Sequence, residues 1–240
     1  MAHAYDIQVL GQSLVYFVIV IFGFVVAVPL GITVVQFDMH CVLYTDVDWV
    51  NATFAQYELS NPTICNFPVW TFVFTCILYS LGVGLYFLYA ACRSNDPNVG
   101  FQMWVMPFLL VNALILILLF ICCCIMSVGL KTTCDNLLKG RKKGNTLQTC
   151  SDAEDKSKFD WNKGKTSVNA SDFYSFSKTS EVAGWITFLI WIVQMALGVL
   201  RFIRNRRQRS QDMGYEDNEP PKNTASDSDT ENFAAVNPSA

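Results

Sequence analysis

Apolar residues along this chain are concentrated in four long blocks, without the regular spacing of a surface helix or strand. The blocks, here called spans one to four, cover residues 14–35, 70–91, 104–128 and 184–203. At about 1.5 Å per helical residue, each block is long enough to cross a hydrocarbon core of roughly 30 Å once. We therefore predict an all-α transmembrane four-helix bundle.

The composition agrees with this prediction. Hydrophobic residues make up 52% of the 240 residues and charged residues only 15%, whereas a soluble domain usually carries about 25% charged residues. The formal net charge of −3 is the sum of the charges of segments that the four-span topology places on opposite sides of the membrane. The net charge therefore does not indicate a partner.

An even number of spans places both termini on one side of the membrane. The segments on that side are residues 1–13, 92–103 and 204–240. The two loops on the other side, 36–69 and 129–183, each contain one N-glycosylation acceptor and two cysteines. We expect these loops to be extracellular or lumenal, with glycans on Asn51 and Asn169. Both termini are then cytoplasmic, in the plasma membrane or another membrane of the secretory pathway.

Counts of lysine and arginine alone favour the opposite orientation, since the second outer loop carries ten and the cytoplasmic side carries seven when Arg201 at the end of span four is included. The positive-inside rule gives most weight to charges close to a span. Five arginines between residues 201 and 209 crowd the end of span four, so the predicted orientation stands. We count Arg201 with this cluster and expect no charged side chain inside the bundle, which argues against an ion or proton relay.

The four cysteines of the outer loops should be oxidised, because that face meets an oxidising compartment. The simplest pairing lies within each loop, Cys41 with Cys65 and Cys134 with Cys150. A bridge between the loops, Cys41 with Cys134, remains the alternative. The remaining cysteines within the spans are expected to act as small packing residues.

The two outer loops differ in character. The first is acidic, and its segment 41–45 combines β-branched and aromatic residues that favour a short strand, so we predict a small β element in the disulfide-bearing loops. The second loop is polar and glycine-bearing at 139–144 and 151–171, which predicts a mobile excursion. We expect its basic cluster to belong to a solvated loop without a partner, and contact with acidic glycans, lipid headgroups or the acidic first loop is the alternative.

Small and polar residues within the spans predict helix contacts. Gly23, Ala27 and Gly31 recur every four residues on span one and form a stripe that allows close helix packing. Asn112 on span three and Gln194 on span four are candidates for a hydrogen bond between helices.

Three candidate modification sites lie on the cytoplasmic side. Cys92 beside Arg93 at the end of span two suits S-palmitoylation. Ser226 and Ser228 stand in an acidic stretch typical of kinase substrates, in a tail that is predicted to be disordered.

Catalytic, nucleotide-binding and paired-cysteine zinc motifs are absent from the sequence, which contains only two histidines. We therefore expect no enzymatic activity, no cofactor or metal, and no nucleic-acid partner.

A series of short motifs runs in order through residues 10–203. They are Val28-Pro29-Leu30, Cys41-Val42-Leu43-Tyr44-Thr45, Cys65-Asn66-Phe67, Ser127-Val128-Gly129, Cys134-Asp135-Asn136, Cys150, Phe173-Tyr174 and Trp185. In order and spacing this series resembles the transmembrane protein 179 family, including its B branch. The resemblance implies a four-span membrane protein and no particular mechanism. The basic insertion at 139–165 and the acidic serine tail depart from the family pattern.

The arrangement is more loosely similar to claudin-like proteins, which serve as junction components or auxiliary subunits, although the Gly-Leu-Trp-x-x-Cys signature is missing. We expect a non-enzymatic interaction protein or auxiliary subunit that contacts membrane lipid and a larger membrane protein. The alternatives are an oligomeric small pore or transport unit and a claudin-like adhesion or junction protein.

Overall fold

The structure is a computed structural model that describes residues 7–50, 55–93, 105–145, 147–155, 159, 161 and 170–216. Of residues 7, 93, 105, 143 and 208–216 it describes the backbone alone. The chain divides into two units, residues 1–202 and 203–240. The described part of the second unit is helical and ends at Glu216.

Four helical rods account for the four apolar blocks. Their elements are α1 (Ile7–Gln36), then α2 (Pro62–Phe72), a π-helical segment (Val73–Tyr79) and α3 (Ser80–Arg93) in one rod, then α4 (Val105–Leu138) and α5 (Phe173–Glu216). Each rod is long and apolar enough to cross a membrane. The predicted four-helix transmembrane fold is confirmed, and the protein is a multi-pass membrane protein.

The rods extend well beyond the apolar blocks on the side of the two long loops. Helix α4 continues ten residues past Val128, the end of span three, to Leu138, a distance of about 15 Å. Helix α5 begins at Phe173, eleven residues before span four. These extra turns are polar, and they are stabilised by the loops that pack on them, so hydrophobicity alone does not predict them.

The rod of span two changes its helical form midway. Asn61 caps its start, since its Oδ1 accepts from the Thr63 backbone N–H at 2.9 Å. In the π-helical segment, Thr75 Oγ1 donates to the Thr71 carbonyl at 2.7 Å and Ser80 Oγ donates to the Thr75 carbonyl at 3.1 Å. These hydroxyl groups satisfy backbone carbonyls where the helix widens, which water cannot do inside a bilayer.

The four rods are arranged in a ring in chain order. The contacts that define this order are Ser13 Oγ to the Gly84 carbonyl at 2.8 Å, Phe87 to Phe108 with ring centroids 5.6 Å apart, Phe120 to Phe188 at 5.6 Å, and Ser180 Oγ to the Val26 carbonyl at 3.1 Å. Each rod therefore contacts two neighbours, and the fourth contacts the first.

The small β element that the sequence predicts is present. Strand β1 (Cys41–Trp49) pairs with β2 (Ala55–Ser60) in a two-stranded antiparallel sheet. The register is irregular between Cys41 and Asp46, where Tyr44 adopts a left-handed φ of 61°. Beyond this bulge the pairing is regular, and it places Asp46 opposite Glu58.

Candidate functional site

Both long loops, 36–69 and 129–183, carry a disulfide in the structure. Cys41 is bonded to Cys65, which ties the start of β1 to the second turn of α2. Cys134 is bonded to Cys150, which closes the first part of the second loop over 16 residues. The bridges thus lie within each loop and not between them.

Despite this local pairing, the two loops form one folded unit, which we call the outer head (described residues of 37–60 and 133–173). Thr133 of α4 donates its hydroxyl to the Val42 carbonyl at 2.8 Å and accepts from the Thr45 backbone N–H at 3.1 Å. Asn136 Nδ2, one turn further along α4, donates to the Thr45 carbonyl at 2.9 Å. Side chains of α4 therefore bond to the backbone groups at the free edge of β1.

Two glycines allow the sheet to approach α4 and the turn that follows it. A Cβ at Gly129 would lie 2.8 Å from Tyr44 Cε2, a distance that real contacts do not show. A Cβ at Gly140 would overlap the ring of Trp49. The same indole donates from Nε1 to the Asn136 carbonyl at 3.3 Å. The second loop is thereby held directly against β1.

An aromatic cluster fills the interior of the outer head, with Trp161 at its centre. Trp161 lies within 5.5 Å, between ring centroids, of the four rings of Phe37, Tyr57, Phe159 and Phe173. Its indole N–H donates to the Ala153 carbonyl at 2.8 Å, and its own carbonyl accepts from the Tyr57 hydroxyl. Residues from both loops and from the start of α5 therefore share one core.

The prediction that 139–144 and 151–171 form a mobile excursion is wrong for their described residues, of which Lys139–Lys143 forms a 3-10 turn. Cys150–Glu154 forms a 3-10 turn, and Glu154 Oε1 accepts from the backbone N–H groups of Tyr174 and Ser175 at 2.8 and 3.0 Å. This carboxylate caps the start of α5, where negative charge is favoured. The prediction failed because isolated aromatics and one glutamate have no periodicity that marks them as structural.

The surface of the outer head separates acidic from basic side chains. Alternation along the hairpin places Asp46, Asp48 and Glu58 on its exposed face, opposite the core. Lys139, Arg141 and Lys142 are exposed on a 3-10 turn, Lys139–Lys143, that follows α4. The expected acidic first loop and basic second loop thus become two charged surfaces of one unit.

Inside the bundle a polar cluster joins three rods. Asn112 Nδ2 donates to the Tyr16 hydroxyl at 2.9 Å, and its Oδ1 accepts from the Tyr79 hydroxyl at 3.0 Å. The predicted hydrogen bond between Asn112 and Gln194 is therefore wrong. Gln194 Oε1 is buried and accepts no hydrogen bond from the part of the chain that the structure describes.

The expectation that no charged side chain lies inside the bundle is also wrong. Arg201 is only 4% exposed. Its Nη1 donates to Gln12 Oε1 at 3.1 Å, and its guanidinium carbon lies 5.4 Å from the centre of the Phe87 ring, a cation–π distance. Arg201 therefore belongs to the packed end of the bundle and not to the basic cluster that follows it.

Part of the small-residue stripe on span one packs against a neighbouring rod of the bundle. A Cβ at Gly23 would lie 2.8 Å from Cys76 Cβ in the π-helical segment, and Ala27 is buried. A Cβ at Gly31 would meet no described atom within 4 Å. Gly31 is therefore not a close-packing residue among the described residues.

An apolar groove of about 450 Å³ opens between α2 and α4 on the outside of the bundle, and we call it the α2–α4 groove. Asn66, Trp70, Phe74 and Leu118 are among its lining residues. Trp70 and Phe74 are 57% and 58% exposed, and their rings are stacked at 5.7 Å. This groove was not predicted, since aromatics at the edge of a span are also typical of simple lipid contact.

Several predicted sites remain predictions. Asn51, Asn169, Ser226 and Ser228 lie outside the described residues. Cys92 is exposed near the end of α3. Acylation of its thiol requires such exposure. In the described part of the chain, no group of three or more His, Cys, Asp or Glu side chains is placed to hold a metal ion.

Comparisons with known proteins cover nearly the whole chain. A family model described as Transmembrane protein 179/179B Claudin domain matches residues 8–227. Transmembrane protein 179B of Danio rerio is 26% identical over 191 residues, which are 79% of this chain and 82% of that protein. No solved structure gives a significant match. The resemblance indicated by the loop and span motifs is confirmed.

Proposed function

Since the chain belongs to the transmembrane protein 179/179B claudin-domain family, we propose that it is a non-enzymatic interaction protein, an auxiliary subunit of a larger membrane complex. The single observation that carries this proposal is the continuity between the α2–α4 groove and the outer head. Thr63 and Asn66 line the upper part of the groove. Cys65, between them, is bonded to Cys41 at the start of β1.

This continuity favours a protein partner that crosses the membrane and also has an outer part. A helix that filled the groove would emerge beside the hairpin, so one partner would contact both surfaces. The disulfide keeps the two surfaces in a fixed relation, which lowers the entropy that binding must cost.

The lining of the groove suits a helix better than lipid alone. The stacked rings of Trp70 and Phe74 form a preformed aromatic wall, and aromatic residues are common anchors of protein interfaces. The surface of the groove is almost wholly apolar, so close packing would hold a helix there, as it does between helices in membranes. Gly23 and Ala27 are occupied inside the bundle, so a partner needs a different face.

We also infer that the outer head faces the extracellular or lumenal side, with both termini cytoplasmic. The Cys134–Cys150 disulfide within the head and the Cys41–Cys65 disulfide that ties it to α2 support this orientation, because such bonds persist in oxidising compartments. The membrane would be the plasma membrane or another membrane of the secretory pathway.

The test is purification of the full chain in mild detergent, followed by quantification of membrane proteins recovered in stoichiometric amount. We expect Trp70→Leu and Phe74→Leu to reduce recovery of a larger membrane protein without reducing expression. The matched control is Phe24→Leu, an equally exposed phenylalanine on α1 outside the groove.

The same experiment separates the alternatives. Recovery of only a closed ring of identical chains would favour the pore and contradict the auxiliary role. Equal recovery of the partner from the groove variants and the control would show that the groove is not the binding surface.

A further inference from the structure

We propose that the basic turn of the outer head, Lys139–Lys143, binds a sulfated polysaccharide. The turn has the sequence Lys-Gly-Arg-Lys-Lys, and the side chains of Lys139, Arg141 and Lys142 are exposed. In a 3-10 helix, residues three apart lie on the same edge, so Lys139 and Lys142 are about 6 Å apart along the axis. A polymer with closely repeated anions matches a row of cations at this spacing.

The turn is held in place from several sides. Gly140 lies against the Trp49 ring. Leu137 before the turn and Leu147 after it are buried in the core of the outer head. The left-handed Gly144, with φ 86°, ends the turn, and the Cys134–Cys150 disulfide closes its base. The cations are therefore presented by an ordered backbone, which reduces the entropy lost on binding.

Nearby acidic groups leave two of the cations unpaired. Asn136 lies between Asp46 and Lys139, since its Nδ2 is 3.4 Å from Asp46 Oδ1 and its Oδ1 accepts from Lys139 Nζ at 2.7 Å. Arg141 and Lys142 form no ion pair with any residue that the structure describes. Further along the loop, Asp152 accepts from the backbone N–H of Thr149, and Glu154 caps α5.

The height of the turn favours a polysaccharide over a lipid surface. Helix α4 carries the turn ten residues beyond the end of span three, about 15 Å above that level. Surface charges are screened over about 8 Å at physiological ionic strength. The headgroup layer takes up about 5–7 Å of this height, which leaves the turn about one screening length above the lipid phosphates and weakens their attraction, whereas an extracellular or lumenal polymer reaches the turn freely. The proposal depends on the outer orientation inferred above, and not on the partner or the groove.

The experiment uses the full chain in detergent and immobilised heparin as the probe, with affinity measured over a series of salt concentrations. The test variant is Arg141→Gln/Lys142→Gln. The matched control is Arg206→Gln/Arg207→Gln, which removes two exposed arginines from the helix beyond span four. Each lost anion contact lowers the slope of log K against log salt by about 1. We expect the slope to fall by about two in the test variant and by less in the control.

Further probes separate other anionic partners. We expect desulfated heparin, polyglutamate and vesicles containing phosphatidylserine to show no difference between the wild type and the test variant. Equal heparin binding by the wild type and the test variant would overturn the proposal. A preference for polyglutamate or for vesicles at the same residues would also overturn it, in favour of an acidic protein or a membrane surface. Peptide mapping of the Cys134–Cys150 bridge checks that the variant is folded, and Lys142→Arg should retain binding.

Discussion

The bundle and the outer head each bury an apolar core, and they differ in the polar groups that they bury and in the residues that they expose. The bundle buries polar side chains such as Gln12, Asn112 and Arg201, while residues such as Leu189 on its outside are apolar. The outer head buries aromatic rings and exposes charged residues such as Lys142. In lipid, apolar surface gains little by leaving the solvent, so close contacts and hydrogen bonds must specify the packing. In water, removing apolar surface from the solvent is the main driving force.

The largest expected effect is in the outer head. Trp161→Ala should lower its stability by about 3–5 kcal/mol, because it removes the ring shared by the rest of the aromatic cluster. The measurement is the rate at which trypsin cleaves the native protein within Lys139–Lys143. Trp70→Ala is the control, since Trp70 is an exposed tryptophan of α2 that lies outside the outer head. If both variants are cleaved at the wild-type rate, the outer head is not held together by its aromatic core.

A smaller effect is expected where two rods of the bundle meet. Gly23→Leu should destabilise the bundle by about 1–3 kcal/mol, since any side chain there overlaps Cys76. Gly31→Leu, on the same face but with open space, should be nearly neutral. The thermal midpoint of the monodisperse protein in detergent measures the difference. Equal midpoints for the two variants would mean that the α1 contact with the π-helical segment is not close.

The sequence predicts the bundle much better than the head. Long apolar blocks identify the rods, because a membrane imposes a minimum length of hydrophobic helix. Residues 41–45 indicate a strand through their β-branched and aromatic side chains, but nothing local marks β2 as its partner. Phe159 and Trp161 stand alone in a polar stretch, so their burial depends on contacts with distant residues.

Within the bundle, the sequence predicts which polar residues are buried but not which residues they bond to. Asn112 is correctly expected to be polar and buried, but its partners Tyr16 and Tyr79 lie on two other rods. Rotation of a rod about its axis decides such pairs, and an almost uniformly apolar span carries little information about rotation. The direction of the Arg201 side chain cannot be predicted for the same reason. An arginine at the end of a span can extend towards water or pack into the bundle, and the sequence is the same in both cases.

The polar cluster gives a test at the level of single hydrogen bonds. Asn112→Leu should cost about 1 kcal/mol, because it removes the hydrogen bonds to Tyr16 and Tyr79. Gln194→Leu should cost less, since its buried Oε1 has no partner in the described residues and its amide N–H group contributes one hydrogen bond, to the Tyr16 hydroxyl. Thermal midpoints in detergent compare the two. A larger loss for Gln194→Leu would place the main polar contact of the bundle on α5.

The smallest effect on stability, and the sharpest test of which face the outer head occupies, concerns glycosylation. Asn51 and Asn169 lie in the two outer loops, so both should carry glycans if the head is extracellular or lumenal. Thr53→Ala and Ser171→Ala should each remove one glycosidase-sensitive step in gel mobility, whereas Thr53→Ser and Ser171→Thr keep the acceptor motif and should retain it. The bundle should be unaffected, because neither loop position belongs to a span.

If neither alanine variant changes migration in expressing cells, the head does not reach the glycosylating compartment, and the proposed orientation is reversed. Loss of a step in one loop alone would keep the orientation, because one glycan is enough to place both loops of an even-span protein on the same face.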